Sequence, residues 1–230
     1  MCEKLKEIRE QVYEAAVKAG RDPSRVTIVA VSKKKPAEMV HKLYECGQLF
    51  FGENYVQEAI SKIEELSAIR PRLIWHFIGH LQRNKAKLAA KYFDCIETVD
   101  SIKLAKALDK HASALGRGID CLIQVNIGKD PAKAGVAPEE LGKILSQMED
   151  FQSLRVKGLM TMHPWSSTRD EARKWFRKLR QLRDGVVAQG LPSGICLDEL
   201  SMGMSRDFVE AVQEGATIVR IGTALFGPRE

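Results

Sequence analysis

Hydrophobic positions along the 230-residue chain follow two periods that take turns. Residues 3–19 place Leu5, Ile8, Val12, Ala15 and Ala16 on one stripe, which predicts an amphipathic helix stopped by Gly20 and Asp22-Pro23. From there, short strand-like runs alternate with helical stripes. The run 26–31 precedes a helix that Pro36 opens and Gly47 closes, and 49–51 precedes a helix bearing Val56, Ile60 and Ile63. The runs 73–78 and 94–99 precede a short helix near 85–90 and one carrying Leu104 and Leu108. In the second half, 120–127, 155–162, 197–201 and 218–221 continue the series, with helices from near Pro138, through the basic stretch after 169, and over about 207–214.

Eight strand-then-helix units in this length predict an α/β fold, a single (β/α)8 barrel of the TIM type with an extra N-terminal helix. The competing open doubly wound sheet would show a glycine-rich fingerprint after its first strand, where Lys33-Lys34-Lys35 stand instead. Residues 1–230 read as one domain without a linker.

Composition narrows the function classes. The chain is 44% hydrophobic and 29% charged, ordinary for a soluble globular protein. No apolar stretch is long enough to span a bilayer, and the N-terminus lacks a signal-peptide core, so a cytoplasmic protein without membrane contact is expected. The five cysteines are scattered without a Cys-x-x-Cys pair, so neither a disulfide framework nor a zinc ribbon is expected. A net charge of +6 raises the question of nucleic acid. The densest basic run, 169–183, interleaves its charges with Ala172, Trp175, Phe176, Leu179 and Leu182 at helical spacing. It reads as the solvated face of an amphipathic helix, and no nucleic-acid motif accompanies it.

The candidate chemistry lies where the barrel would put it, at the carboxyl ends of the strands. A lysine there, in a semi-apolar pocket, can act as a neutral amine toward an aldehyde. Alternation puts Lys33 and Lys35 on the side of Val29 and Val31, and Lys33 is nearest the strand. Ser201, Ser205, Gly222 and Thr223 suit a phosphate, because small residues let backbone N–H groups approach an anion. An aldehyde-binding lysine and a phosphate turn together suggest pyridoxal phosphate. Arg220 would either face that cofactor's pyridine nitrogen or form an ion pair in the barrel. Asn54, His76, His80, Asn126 and His163 fall at the same end, and the two histidines of 76–80 lack a third metal ligand. Ser201-Met202-Gly203-Met204-Ser205 lacks the flanking glycines of a hydrolase nucleophile elbow.

Six ordered blocks carry a resemblance. They are Ala30–Pro36, Phe51–Glu58, Trp75–Lys85, Gly158–Met162, Leu200–Ser205 and Val219–Gly227. The chain is similar to the pyridoxal phosphate homeostasis protein family, which resembles the N-terminal barrel of alanine racemase, a fold-type III scaffold. The resemblance runs from about residue 3 to the end. It implies that Lys33 forms a covalent aldimine with pyridoxal 5'-phosphate, that Ser201, Gly222 and Thr223 hold the phosphate, that Arg220 faces the pyridine nitrogen, and that Asn54 lies close by. Relatives commonly carry proline or serine at the position of His80, and a small or apolar residue at that of His163. The racemase's second base, a tyrosine, comes from a partner subunit, and its C-terminal β-domain has no counterpart here. The resemblance therefore implies a non-catalytic monomer that stores, buffers or delivers the cofactor to apo-enzymes. The alternatives are a minimal amino-acid racemase and a Schiff-base aldolase acting through Lys33.

Overall fold

The computed structural model describes residues 1–130, 133–163 and 167–227. Its elements run α1 (Cys2–Lys18), β1 (Thr27–Val31), α2 (Ala37–Glu45), β2 (Phe50–Glu53), α3 (Val56–Glu65), β3 (Ile74–Phe77), α4 (Ala86–Tyr92), β4 (Cys95–Val99) and α5 (Ile102–Ala114). They continue with β5 (Ile119–Gln124), α6 (Leu141–Met148), β6 (Leu154–Met160), α7 (Arg169–Gln189), β7 (Glu199–Met204), α8 (Phe208–Gln213), β8 (Ile218–Ile221) and α9 (Thr223–Phe226). Every strand is parallel to its neighbours, and the order β1 to β8 closes on itself. The closing seam registers Thr27 with Ile218 and Ala30 with Ile221. The expected (β/α)8 barrel is therefore present, with α1 outside the eight units. Arg21, just after α1, donates to the carbonyl oxygens of Val212 and Ala216 at 2.5 and 2.9 Å, fixing that helix to the end of α8.

Strand alternation divides the apolar residues into two cores. Ile28, Ala30, Phe51, Trp75 and Phe77 point outward and pack under the helices. Val29, Cys95, Leu122, Met160 and Ile218 point inward and fill the lower lumen. Burial pushes the Cys121 thiol up to about 12 and that of Cys95 well above the usual range, so both behave as small apolar side chains. One cysteine pair departs from the sequence expectation. Cys2 and Cys46 form a disulfide, with Cα atoms 5.4 Å apart, joining the start of α1 to the end of α2. They are 44 residues apart, a separation that sequence spacing does not reveal.

Above the apolar layer the lumen is polar. Glu97 on β4 is fully buried, and its Oε1 lies 2.7 Å from His76 Nδ1. Its Oε2 accepts from Ser201 Oγ at 2.6 Å and lies 3.7 Å from Arg220 Nη1. Arg220 also donates to Ser201 Oγ at 2.5 Å and to the Thr161 carbonyl at 2.9 Å. Four strands and Thr161, just after β6, thus meet through one buried carboxylate and one buried guanidinium. Burial alone would raise the Glu97 carboxyl. The hydrogen bond and charge of His76, the charge of Arg220 and the Ser201 hydroxyl overcome it and hold Glu97 below the usual carboxylate range. The histidine beside Glu97 is a lumen residue, and the described residues include no cluster able to hold a metal.

Ser201 requires a correction. The sequence ends its strand at 201, but β7 continues to Met204 through a register shift between Ser201 and Met204. Gly203 makes this possible: it adopts φ +90°, and a Cβ there would lie 2.4 Å from Ala211. Ser201 consequently faces the lumen instead of following the strand.

Two outcomes are expected. A lowered carboxyl stabilises the fold fully above its unfolded value, and that contribution disappears as pH falls through the folded one. Glu97→Gln should cost about 3–5 kcal/mol at neutral pH by leaving Arg220 unpaired. In denaturant melts at stepped pH, the gap from wild type should narrow below about pH 4; a constant gap would assign the loss to packing alone. Reducing Cys2–Cys46 should lower stability by up to about 4 kcal/mol on loop-closure grounds, read from melts with and without dithiothreitol.

Candidate functional site

A cavity of about 510 Å³ opens at the carboxyl ends of the strands, within the range of small-molecule sites. Of the three consecutive lysines only Lys33 lines it; Lys34 is exposed and Lys35 lies outside the lining. Val31 continues into the wall on the same face, as the alternation requires.

Arg220 enters from below, from β8, which pairs with β1. Burial lowers its pKa, while the carboxylates of Glu97 and Asp207 act in the opposite direction. The guanidinium can only donate, so it presents a fixed positive donor to whatever lies above it. Asn54 follows β2 and lines the wall, and its Oδ1 is buried without a hydrogen-bond partner. Gly79 holds that segment close, since a Cβ there would fall 2.2 Å from the Asn54 carbonyl oxygen. Thr98 Oγ1 completes the clamp by donating to the Gly79 carbonyl at 2.6 Å.

The turn after β8 supplies a different surface. The backbone N–H groups of Gly222 and Ala224 converge on Ser205 Oγ, at 3.1 and 3.3 Å. These two bonds tie Ser205 to the turn after β8. Gly222, Thr223 and Ser205 line the cavity, whereas Ser201 lies beneath it and carries Arg220. Of the two serines the sequence offered, Ser205 lines the cavity and Ser201 does not.

Two further polar residues face the cavity. His163 follows β6, is buried, and approaches Asp207 Oδ2 through Nε2 at 2.9 Å, with its ring edge against Phe176. Asp207 Oδ1 accepts from the Met204 N–H at 2.7 Å. The sequence marked His163 but offered no partner for it, because Asp207 lies 44 residues away. Since β8 and β7 separate β1 from β6, Lys33 and His163 reach the cavity from nearly opposite sides. Asn126 is not part of the site: its side chain bonds Asp130 and the Lys133 carbonyl, folding the loop after β5. His80 is exposed and pairs with Asp100 at 3.7 Å.

The basic face of α7 is less available than its charge suggests. Arg173, Arg177 and Arg180 converge on the buried Glu214, at 3.3, 2.8 and 3.5 Å. Lys178 lies over the Trp175 ring, 4.4 Å from its centre. No helix among the described residues is long and apolar enough to cross a membrane.

Comparison with known proteins places this arrangement. The family described as alanine racemase, N-terminal domain, matches residues 4–230. A pyridoxal phosphate homeostasis protein of Aquifex aeolicus is 40% identical over 229 residues, covering 100% of this chain and 98% of that protein. The structure of PipY from Synechococcus elongatus PCC7942 without pyridoxal phosphate is 41% identical, with a TM-score of 0.89 over 99% of this chain and 100% of that one. Its form with pyridoxal phosphate bound is 40% identical, with a TM-score of 0.87 over 98% and 99%. With the alanine racemase domain spanning nearly its whole length and full-length relatives at this identity, the chain belongs to the pyridoxal phosphate homeostasis protein family.

Proposed function

We propose that this chain binds pyridoxal 5'-phosphate at the carboxyl-terminal mouth of its barrel and serves cofactor homeostasis, holding and handing on the cofactor. The carrying observation is the meeting of an amine, a guanidinium, an orphaned amide oxygen and the small residues Ser205, Gly222 and Thr223 in one cavity. These groups fit the cofactor's chemistry. Lys33 would hold its aldehyde carbon through a reversible covalent bond, and Gly222, Thr223 and Ser205 would hold its phosphate. Arg220 would face the ring nitrogen, and Asn54 Oδ1 would accept from a donor on the bound molecule. When bound, the cofactor supplies an electron-withdrawing ring, and a permanent donor beside its nitrogen disfavours protonation there.

In this reading the protein is non-catalytic and acts as a monomer in the cytoplasm, with cofactor-dependent apo-enzymes as recipients. Ser201 supports the cofactor indirectly, by fixing Arg220 from below. One observation favours a second reading, an enzyme acting on amino-acid α-protons. Two-sided proton transfer needs two positioned groups, and His163, oriented by Asp207, faces the same cavity as Lys33 from nearly the opposite side.

Two measurements test these readings. The cofactor-loaded protein should absorb in the near-visible, and borohydride reduction followed by peptide mass analysis should place the label on Lys33. Lys33→Ala should lose both signals; a fully retained band would move the attachment to Lys35 or Lys133. In heavy water, α-proton exchange of a panel of L-amino acids should not exceed that with free cofactor. Exchange at enzyme-like rates, removed by His163→Gln, would establish the second reading.

A further inference from the structure

The turn carrying Lys33 contains no glycine, yet Lys34 adopts φ +58°, a left-handed conformation that costs a bulky residue energy. Charged side chains from β2 and α3 hold it there. Lys62 Nζ donates to the Ser32 carbonyl at 2.8 Å, to Glu53 Oε1 at 2.5 Å and to Glu58 Oε1 at 3.3 Å. Glu53 Oε1 also accepts from Ser32 Oγ at 2.6 Å, and Glu58 Oε1 accepts the backbone N–H of Lys34. The Ser32 carbonyl belongs to the planar peptide unit whose nitrogen is that of Lys33. Whatever fixes that carbonyl therefore fixes the direction in which the Lys33 side chain leaves the strand.

Stability alone is a poor account of this cluster. The Lys62 side chain is 5% exposed and that of Glu53 fully buried, and a buried ion pair is often no more stabilising than apolar residues of its size. Glu53 Oε2 is buried without a hydrogen-bond partner, so even the pair's own bonding is incomplete. Burial raises the Glu53 carboxyl against the charge and hydrogen bond of Lys62 and the hydrogen bond of Ser32. Glu53, Glu58 and Lys62 all lie outside the cavity lining. The cluster reaches Lys33 through the Ser32–Lys34 backbone and the Ser32 hydroxyl.

We propose that Lys62 is a positioning residue for Lys33: with Glu53 and Glu58 it fixes the Ser32–Lys33 peptide plane and so aims the Lys33 amine into the cavity. The inference rests on the reading of Lys33 as the attachment point. Lys62 lies outside the cavity lining and acts on Lys33 through the turn.

The test uses the full chain loaded with pyridoxal 5'-phosphate. Lys62→Met alone would strand the Glu53 charge, so the decisive variant pairs Lys62→Met with Glu53→Gln. Glu58→Gln, at a partly exposed position, weakens the hold on Lys34 without burying a lone charge. Cofactor loss to an excess of trapping amine should accelerate about ten- to a hundredfold in the double variant, and borohydride labelling at Lys33 should fall in step. Glu58→Gln should shift both readouts the same way by a smaller factor, and melting temperatures monitor the fold. Wild-type release and labelling in Glu58→Gln and in a folded double variant would overturn the proposal. If the double variant does not fold, Glu58→Gln decides: faster release with reduced labelling supports the proposal, and wild-type values overturn it. Lys33→Ala, measured alongside, separates the two ideas: persistent labelling there would overturn the attachment reading whatever the Lys62 variants do.

Discussion

A guanidinium buried in the lumen of a closed barrel is tolerable only beside a carboxylate, and the pairing of Arg220 with Glu97 meets that condition. Other polar features of the lumen follow from it. His76 and Ser201 satisfy the two oxygens of Glu97, while Ser201 and the Thr161 carbonyl share the donors of Arg220. Four participants come from four different strands and Thr161 from the segment after β6, so the network also ties β3, β4, β7 and β8 together across the lumen. Above it, the cavity has a rigid positive floor.

The eight strand-and-helix units were legible because hydrophobic period reports burial, and burial in a barrel is regular. Lys33 and Gly222-Thr223 were legible because unusual residue types stood at strand ends. What escaped were pairings set by closure of the ring. Ser201 and Glu97 are 104 residues apart, and His163 and Asp207 are 44 apart. Yet signals were present. Glu97 interrupts the apolar run Cys95-Ile96-Glu97-Thr98-Val99, and a charge there is costly unless paired. Lys62 shares the spacing of Val56 and Ala59 on α3, placing a charged residue on the buried stripe. The end of β7 was misread for a local reason: glycine inside Ser201–Ser205 suggested a turn, whereas Gly203 bends a strand that continues to Met204.

Several charges in this molecule are spent on one another. Glu214 gathers three arginines of α7, Asp94 gathers Arg70 and Arg117, and Glu53 holds Lys62. A positive formal charge thus gives little guidance to what the surface attracts. At the cavity itself the polar groups are few and local: Arg220 below, and Ser205, Gly222 and Thr223 at the side.

The seam between β1 and β8 has a consequence for biosynthesis. The first strand to leave the ribosome must wait for the last before both its edges are paired, since Thr27 to Ala30 bond to Ile218 to Ile221. Throughout translation the nascent sheet keeps an open, strongly apolar edge, of the kind that recruits other chains. The lysine turn follows β1 directly, and the Gly222-Thr223 turn follows β8. Neither half of the cavity meets the other until the ring closes, so the cavity itself exists only once synthesis has delivered β8.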